Sequence, residues 1–284
     1  MTEPVILSIS SQVVYGHVGN CATVPALQAL GFEVLALPTV LLAHHPGHGA
    51  PQGRVLPVDE VAALLDGIDA VGALARANGV LTGYLGLPGT ATVAADAVTR
   101  LRRHNPGALY LCDPVIGDNG RVYVRDGVEQ AIRELLLPLA DVLTPNHFEL
   151  ERLSGHPVST LDQVVHAARV LLGSGPKVVV VTSVQHDRVG ADEVETLAVS
   201  ADAVWAAASP RLVRVPNGGG DLLAALLLGR LALGSSLPDA LGHAVSAVYG
   251  VLSASVGEPE LRLVAGRHQL SAPPAITLRA LSVS

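Results

Sequence analysis

Short apolar runs alternate along the chain with longer segments of helical period. Val5–Ser10, Phe32–Leu37, Val80–Tyr84, Ala108–Cys112, Val142–Thr144 and Lys177–Thr182 are short, rich in aliphatic residues, and read as buried strands. Helices are predicted over Cys21–Leu30, closed by Gly31, and over about Val58–Ala77, closed by Asn78-Gly79. Thr160 and Gln163 form a capping-box pattern that starts a third helix, running to about Leu172. This order predicts a mostly parallel sheet with helices on both faces, a three-layer α/β architecture. After Thr182 the runs shorten. Val194–Ser200 and Leu212–Val215 are predicted as strands of an antiparallel edge, followed by helices over about Gly220–Leu233 and Leu237–Ser255. Beyond Glu258 there are only strand-like pieces around Leu261–Val264 and Ile276–Leu281. The segment Pro38–Pro57 holds four Pro, three Gly and three His, and is predicted to be an irregular flap over a site.

Composition narrows the class. With 284 residues, 49% hydrophobic and 15% charged, the chain has ample material for a folded core, and one domain spanning 1–284 is expected. A net charge of −7 without any Lys/Arg-rich run argues against nucleic acid as a partner. Acidity does not exclude an anionic ligand, since backbone amides and a divalent metal can hold phosphates. Cys21 and Cys112 are far apart and outside any C-x-x-C pattern, so no disulfide framework or zinc site is expected. The start of the chain lacks a secretory signal pattern and no apolar run approaches about 18 residues, so a soluble cytoplasmic protein without membrane attachment is expected.

The strongest chemical signal is Asn217-Gly218-Gly219-Gly220-Asp221, between a predicted strand and an apolar helix. Glycines let the backbone approach a ligand closely and turn several N–H groups toward one point, where the helix end also favours negative charge. Phosphoryl transfer to an alcohol needs such donors together with a carboxylate that takes the hydroxyl proton, and Asp221 stands where that base belongs. On the glycines alone, the segment reads equally well as a flexible helix start with an ordinary N-terminal charge. It is not a Walker A motif, because no G-K-[ST] follows.

Taken with Leu7-Ser8-Ile9-Ser10-Ser11-Gln12-Val13-Val14-Tyr15-Gly16-His17-Val18-Gly19-Asn20, Leu81-Thr82-Gly83-Tyr84, Cys112-Asp113-Pro114-Val115-Ile116-Gly117-Asp118 and Leu143-Thr144-Pro145-Asn146-His147-Phe148-Glu149, the motif resembles the pyridoxal kinases of the ribokinase-like superfamily, collinearly over roughly Val5–Ser255. The resemblance implies a ribokinase-like α-β-α fold and ATP-dependent phosphorylation of the 5′-hydroxymethyl group of pyridoxal, pyridoxine or pyridoxamine. It further implies Mg²⁺, a monovalent cation (K⁺ or Na⁺) and a homodimer. By the same resemblance, Asp221 is the base and Gly218, Gly219 and Gly220 the anion hole. Ser11, Val40, His45 and Tyr84 would line the substrate pocket. Asp113, Asp118, Tyr123, Thr144, Asn146, Glu149, Thr182 and Ser183 would serve ATP, with Asp113, Asp118 and Glu149 organising the metal. On residue type alone, Ser11 reads as a turn residue, Tyr84 as a core aromatic and Asp118-Asn119-Gly120 as a plain turn.

Two departures stand out. The family usually has Gly-Thr-Gly-Asp where this chain has Gly218-Gly219-Gly220-Asp221, and a polar Asn-His-Thr-like flap where it has His44-His45-Pro46. Two alternatives stay open: a hydroxymethylpyrimidine or other ribokinase-like kinase, and a noncatalytic pyridoxal binder. The flap histidines alone do not make a zinc site, because no second ligand cluster accompanies them in the sequence.

Overall fold

Strand β1 (Val5–Tyr15) divides the molecule into two packed layers. Val5, Leu7 and Ile9 enter one hydrophobic core, whereas Ile6 enters the other, the alternation of a strand buried on both faces. The computed structural model describes residues 3–282. After β1 come α1 (Asn20–Ala29), β2 (Glu33–His44), β3 (Gly53–Val55), α2 (Val58–Ala70), β4 (Ala77–Thr82), α3 (Pro88–His104) and β5 (Leu109–Cys112). A two-stranded hairpin, β6 (Gly117–Asp118) and β7 (Arg121–Val122), precedes α4 (Val128–Ala131), β8 (Val142–Leu143), α5 (His147–Ser154), α6 (Leu161–Leu172) and β9 (Val178–Val184). The chain closes with β10 (Glu193–Ser200), β11 (Val204–Pro210), α7 (Gly219–Ala232), α8 (Leu237–Ser253), α9 (Arg267–Ser271) and β12 (Leu278–Leu281).

The main sheet has the order β12-β11-β10-β9-β8-β5-β4-β1-β2-β3. Strands β2, β1, β4, β5, β8 and β9 pair in parallel, and the sheet ends in antiparallel strands on both sides: β10, β11 and β12 at one edge, β3 at the other. Helices α1, α7 and α8 pack on one face, and α2, α3 and α6 on the opposite face. Helix α7 is buried at every position from Leu222 to Gly229, as expected of a helix apolar all round. Among the described residues no helix is long and apolar enough to cross a membrane.

Several boundaries differ from the sequence pattern. The flap is much shorter than Pro38–Pro57, because β2 continues through Pro38 to His44 and pairs with β1. Proline is tolerated there because β3 pairs only with Val40–Leu42, which leaves β2 without a second neighbour at Pro38. Helix α2 stops at Ala70 rather than Ala77, closed by Gly72 at a φ of 73°, and Asn78-Gly79 lies inside β4, where Asn78 accepts a hydrogen bond from the Val5 amide (2.9 Å). In the antiparallel part the strand after β10 is Val204–Pro210, lying between β10 and the outermost β12, and Leu212–Val215 forms no strand; Ala206–Ala208 are poor strand formers, placed by pairing with β10. Leu261–Val264 is likewise not a strand, but Leu261 and Leu263 are buried in the core beside α8. Helix α3, whose first turn is threonine- and glycine-rich, had no signal in the pattern.

Candidate active site

From β1 the chain moves to β2 on one side, yet β4 lies on β1's other side. Their diverging connections open a crevice at the carboxyl ends of β1 and β4, the place where open α/β sheets bind ligands. Four sequence signals meet there. Ser10 and Ser11 end the first half of β1, at an irregularity in its pairing with β2 between Ser10 and Gln12 that re-aims the strand. Gly83 and Tyr84 follow β4. Asp113 follows β5, its amide bonded to the Thr82 carbonyl (2.9 Å). Asp221 comes from the first turn of α7. Ser10, Thr82, Gly83, Asp113 and Asp221 line one small cavity.

The glycine run is built in two parts. Gly218 caps α7 at a φ of 102°, and a Cβ there would run into the His17 carbonyl, so only glycine fits. Gly219 and Gly220 form the first helical positions, whose N–H groups have no acceptor within the helix, since Leu222 is the first to bond back, to Gly218 (3.0 Å). The half-buried Asp221 carboxylate sits just beyond these amides. Burial pushes its pKa up to about 6, and hydrogen bonds from the Gly19 amide and its own amide hold it from rising further. A Cβ on Gly83 would lie 2.6 Å from the Ser10 hydroxyl and 3.8 Å from Asp221 Oδ1, which puts both groups beside the same point of the crevice. Ser10 is a residue the sequence reading missed. It is buried, and its hydroxyl has no hydrogen-bond partner among the described residues. No sequence signal separates it from Ser8, which is spent on Asn20 (2.7 Å).

The acidic group forms the neighbouring wall. Asp113 accepts from the Thr144 hydroxyl (3.0 Å); burial, then the charges of Glu149 and Asp221, raise its pKa well above the usual carboxylate range. Glu149 accepts from the amides of Ile116 (2.8 Å), Gly117 (3.3 Å) and Asn146 (2.9 Å), the last as part of a capping box with Asn146. Its burial outweighs those bonds and lifts its pKa to about 7. Asp118 is exposed on the β6–β7 turn and bonded to Asn119 (2.8 and 3.0 Å). Asp113, Asp118 and Glu149 therefore do not form a ready three-ligand cluster: among the described residues, the sole group of three potential ligands within 4.8 Å of one another is His45, His48 and Glu260. Tyr123 follows β7 with 55% of its surface exposed, so its phenol is raised only through partial desolvation and then the charges of Glu149, Asp113, Asp118 and Asp221. Thr182 bridges to Asn146, and the exposed Ser183 takes a left-handed φ of 51°, a strained geometry at the end of β9.

Val40 is buried beside Gly86 and paired with Val55, and the hydroxyl of its neighbour Thr39 donates to the Tyr84 carbonyl (2.6 Å). Ser11 is buried against Gly19, whose missing side chain leaves it room. His45 is buried at the crevice rim, 3.4 Å from Asn217 Nδ2 at the start of the glycine run. Its main partner is one the sequence reading missed altogether, Glu260, 215 residues away.

A phosphomethylpyrimidine kinase family model matches residues 21–260, most of the chain and nearly all of this site. The chain belongs to the phosphomethylpyrimidine kinase family. Within this family it groups with the pyridoxal kinases of ribokinase-like fold. It is 45% identical over 273 residues to pyridoxal kinase PdxY of Rubrobacter xylanophilus (95% of this chain, 94% of the relative), and 43% identical to pyridoxal kinase PdxY of Deinococcus radiodurans (94% and 93%). Among solved structures it is similar to pyridoxal kinase from Leishmania donovani in complex with ADP and pyridoxamine, at a TM-score of 0.92 and 30% identity, covering 99% of this chain and all of the other.

Proposed function

We propose that this member of the family is an ATP-dependent kinase that phosphorylates the 5′-hydroxymethyl group of pyridoxal, with pyridoxine and pyridoxamine as further substrates. The observation that carries the reading is the position of Asp221: a carboxylate with a raised pKa, one step past two helix-start amides that have no acceptor within the helix, in the sheet's ligand crevice. A base near pKa 6 is ionised at neutral pH, yet basic enough to take a proton as an alcohol attacks. In this mechanism the substrate ring lies between Val40 and Tyr84, with Ser11 and His45 at its edge. Asp221 accepts the hydroxyl proton, and the alcohol oxygen attacks the γ-phosphorus in line as the bond to ADP breaks. The amides of Gly219 and Gly220 hold the charge that develops on the transferred group. Thr144, Asn146, Thr182 and Ser183 surround the nucleotide phosphates, with Tyr123 flanking them.

The donors here suit Mg²⁺, which favours oxygen ligands. Asp113 accepts one protein hydrogen bond among the described residues and keeps lone pairs for a cation, whereas Glu149, spent on three amides, fixes the surrounding loop. Bound there, the ion would neutralise phosphate charge. The 1–284 chain acts as one kinase domain, and a homodimer is expected from the family resemblance; light scattering of the purified protein measures the latter.

The deciding experiment is ADP release with Mg-ATP and a panel of pyridoxal, pyridoxine, pyridoxamine and hydroxymethylpyrimidine. Highest kcat/KM on a pyridine substrate supports the proposal. Preference for hydroxymethylpyrimidine, or pyridoxal binding without ADP release, would replace it.

A further inference from the structure

Glu260 follows α8 in a turn fixed by Ser255, whose hydroxyl donates to the Val251 carbonyl (2.7 Å) and accepts the Arg262 amide (2.9 Å). From that anchored segment its buried carboxylate reaches three partners on two other segments, His17 and the 45–48 turn. Oε2 accepts the His17 amide (2.9 Å), while Oε1 faces Nε2 of both His45 (2.8 Å) and His48 (2.5 Å). Space is made for this arrangement: a Cβ on Gly16 would lie 2.5 Å from Glu260 Oε1, and one on Gly47 within 2.7 Å of the His45 ring and Asn217.

The three side chains have the makings of a metal site, but the hydrogen bonding argues otherwise. The Gly47 amide donates to His45 Nδ1 (3.1 Å). In a neutral imidazole the hydrogen then resides on Nε2, which donates to Glu260 and has no lone pair for a cation. Each contact is satisfied as a hydrogen bond. The cluster also reaches the glycine run: the His17 carbonyl and Leu261, on either side of the Glu260 contact, are the groups a Gly218 Cβ would meet.

We propose that Glu260 is a positioning residue that latches the 45–48 turn over the substrate pocket and ties its closed position to the Gly218 loop. This rests on the kinase reading of the site, in which His45 borders the substrate. A carboxylate suits the role because all three of its partners donate. Glutamine would turn an NH₂ group toward at least one N–H, so Glu260→Gln breaks part of the latch with almost no change in size.

The test uses the full chain with two variants, Glu260→Gln and His48→Phe, the second removing one arm at a partly exposed position. Hydrogen–deuterium exchange over residues 44–49, without substrates, should quicken about tenfold in both. In steady-state assays KM for pyridoxal should rise about tenfold, while KM for ATP and the melting temperature change little. A merely structural Glu260 would instead lower the melting temperature and leave the KM ratio unmoved. Exchange and pyridoxal KM within twofold of wild type would overturn the latch. So would stoichiometric Zn²⁺ binding by the wild type that Glu260→Gln abolishes. The exchange measurement requires no turnover, so a wild type inactive on pyridoxal would refute the kinase reading and leave the latch separately decided.

Discussion

Replacing Asp221 by Asn separates catalysis from stability in a way the structure makes quantitative. Asn keeps the size and the oxygen that accepts the Gly19 amide, but cannot take a proton at neutral pH. Loss of a general base costs roughly 10²- to 10⁴-fold in kcat, or about 3–5 kcal/mol of transition-state stabilisation. Stability should move the other way. The Asp221 pKa is about 6 in the folded chain against an ordinary 3.8, so between about pH 4 and 6 the native state binds more protons than the unfolded one. Stability then falls as pH rises through that window, and by neutral pH the cost is at most about 3 kcal/mol, reduced by solvent at this half-buried site to about 1–2 kcal/mol. Asn removes the cost, so the variant should melt a few degrees higher at pH 7.5 and lose that advantage near pH 4. Coupled ADP detection and scanning calorimetry over pH 4–8 read both quantities. The wild type's kcat/KM should fall on the acid side with a midpoint near 6, a limb missing from the variant's residual rate. Near-normal turnover would refute the assignment of Asp221 as base, and a lower melting temperature at pH 7.5 would refute the electrostatic account of its burial.

The two kinds of glycine in the anion loop should respond differently. Gly219→Thr restores the hydroxyl usual in the family at a position where a Cβ meets only Leu252 and Val248 at 3.6–3.9 Å, so the fold should hold and KM for ATP should fall severalfold. Gly218→Ala forces a side chain into the positive-φ position against the His17 carbonyl and should cost about 1–3 kcal/mol by chemical denaturation, together with most of the activity. Ser10→Ala removes a buried hydroxyl that has no hydrogen-bond partner among the described residues, so stability should be unchanged or slightly higher. If that hydroxyl serves the bound substrate, KM for pyridoxal should rise about fivefold to tenfold with kcat less affected; an unchanged KM would assign Ser10 to packing alone.

The layered architecture was legible because burial on both faces imposes unbroken aliphatic runs on parallel strands such as β9, and because α6 carries its start signal in Thr160 and Gln163. The glycine-aspartate motif was legible for a similar reason: positive φ and close backbone approach leave glycine as the residue that fits, and Gly218 bears that mark. Boundaries were less visible where pairing overrides local preference. Pro38 continues β2 because the strand has no second neighbour there, and Ala206–Ala208 are extended because β10 pairs with all three and β12 with Ala206 and Ala207. The metal group was the weakest inference, since composition displays Asp113, Asp118 and Glu149 alike while hydrogen bonding leaves them with different spare capacity.

By itself, then, the sequence determined which residues could be strands, where the backbone had to bend without a side chain, and which carboxylate follows the anion loop. Those are properties of a residue and its near neighbours along the chain. Tertiary structure alone decided that Asp221 stands beside Ser10 and Gly83, that Glu149 is consumed by three amides, and that Glu260 meets His45 across 215 residues. Each of these is a matter of distance and desolvation between segments remote in sequence, fixed when the sheet order is chosen and absent from any local pattern.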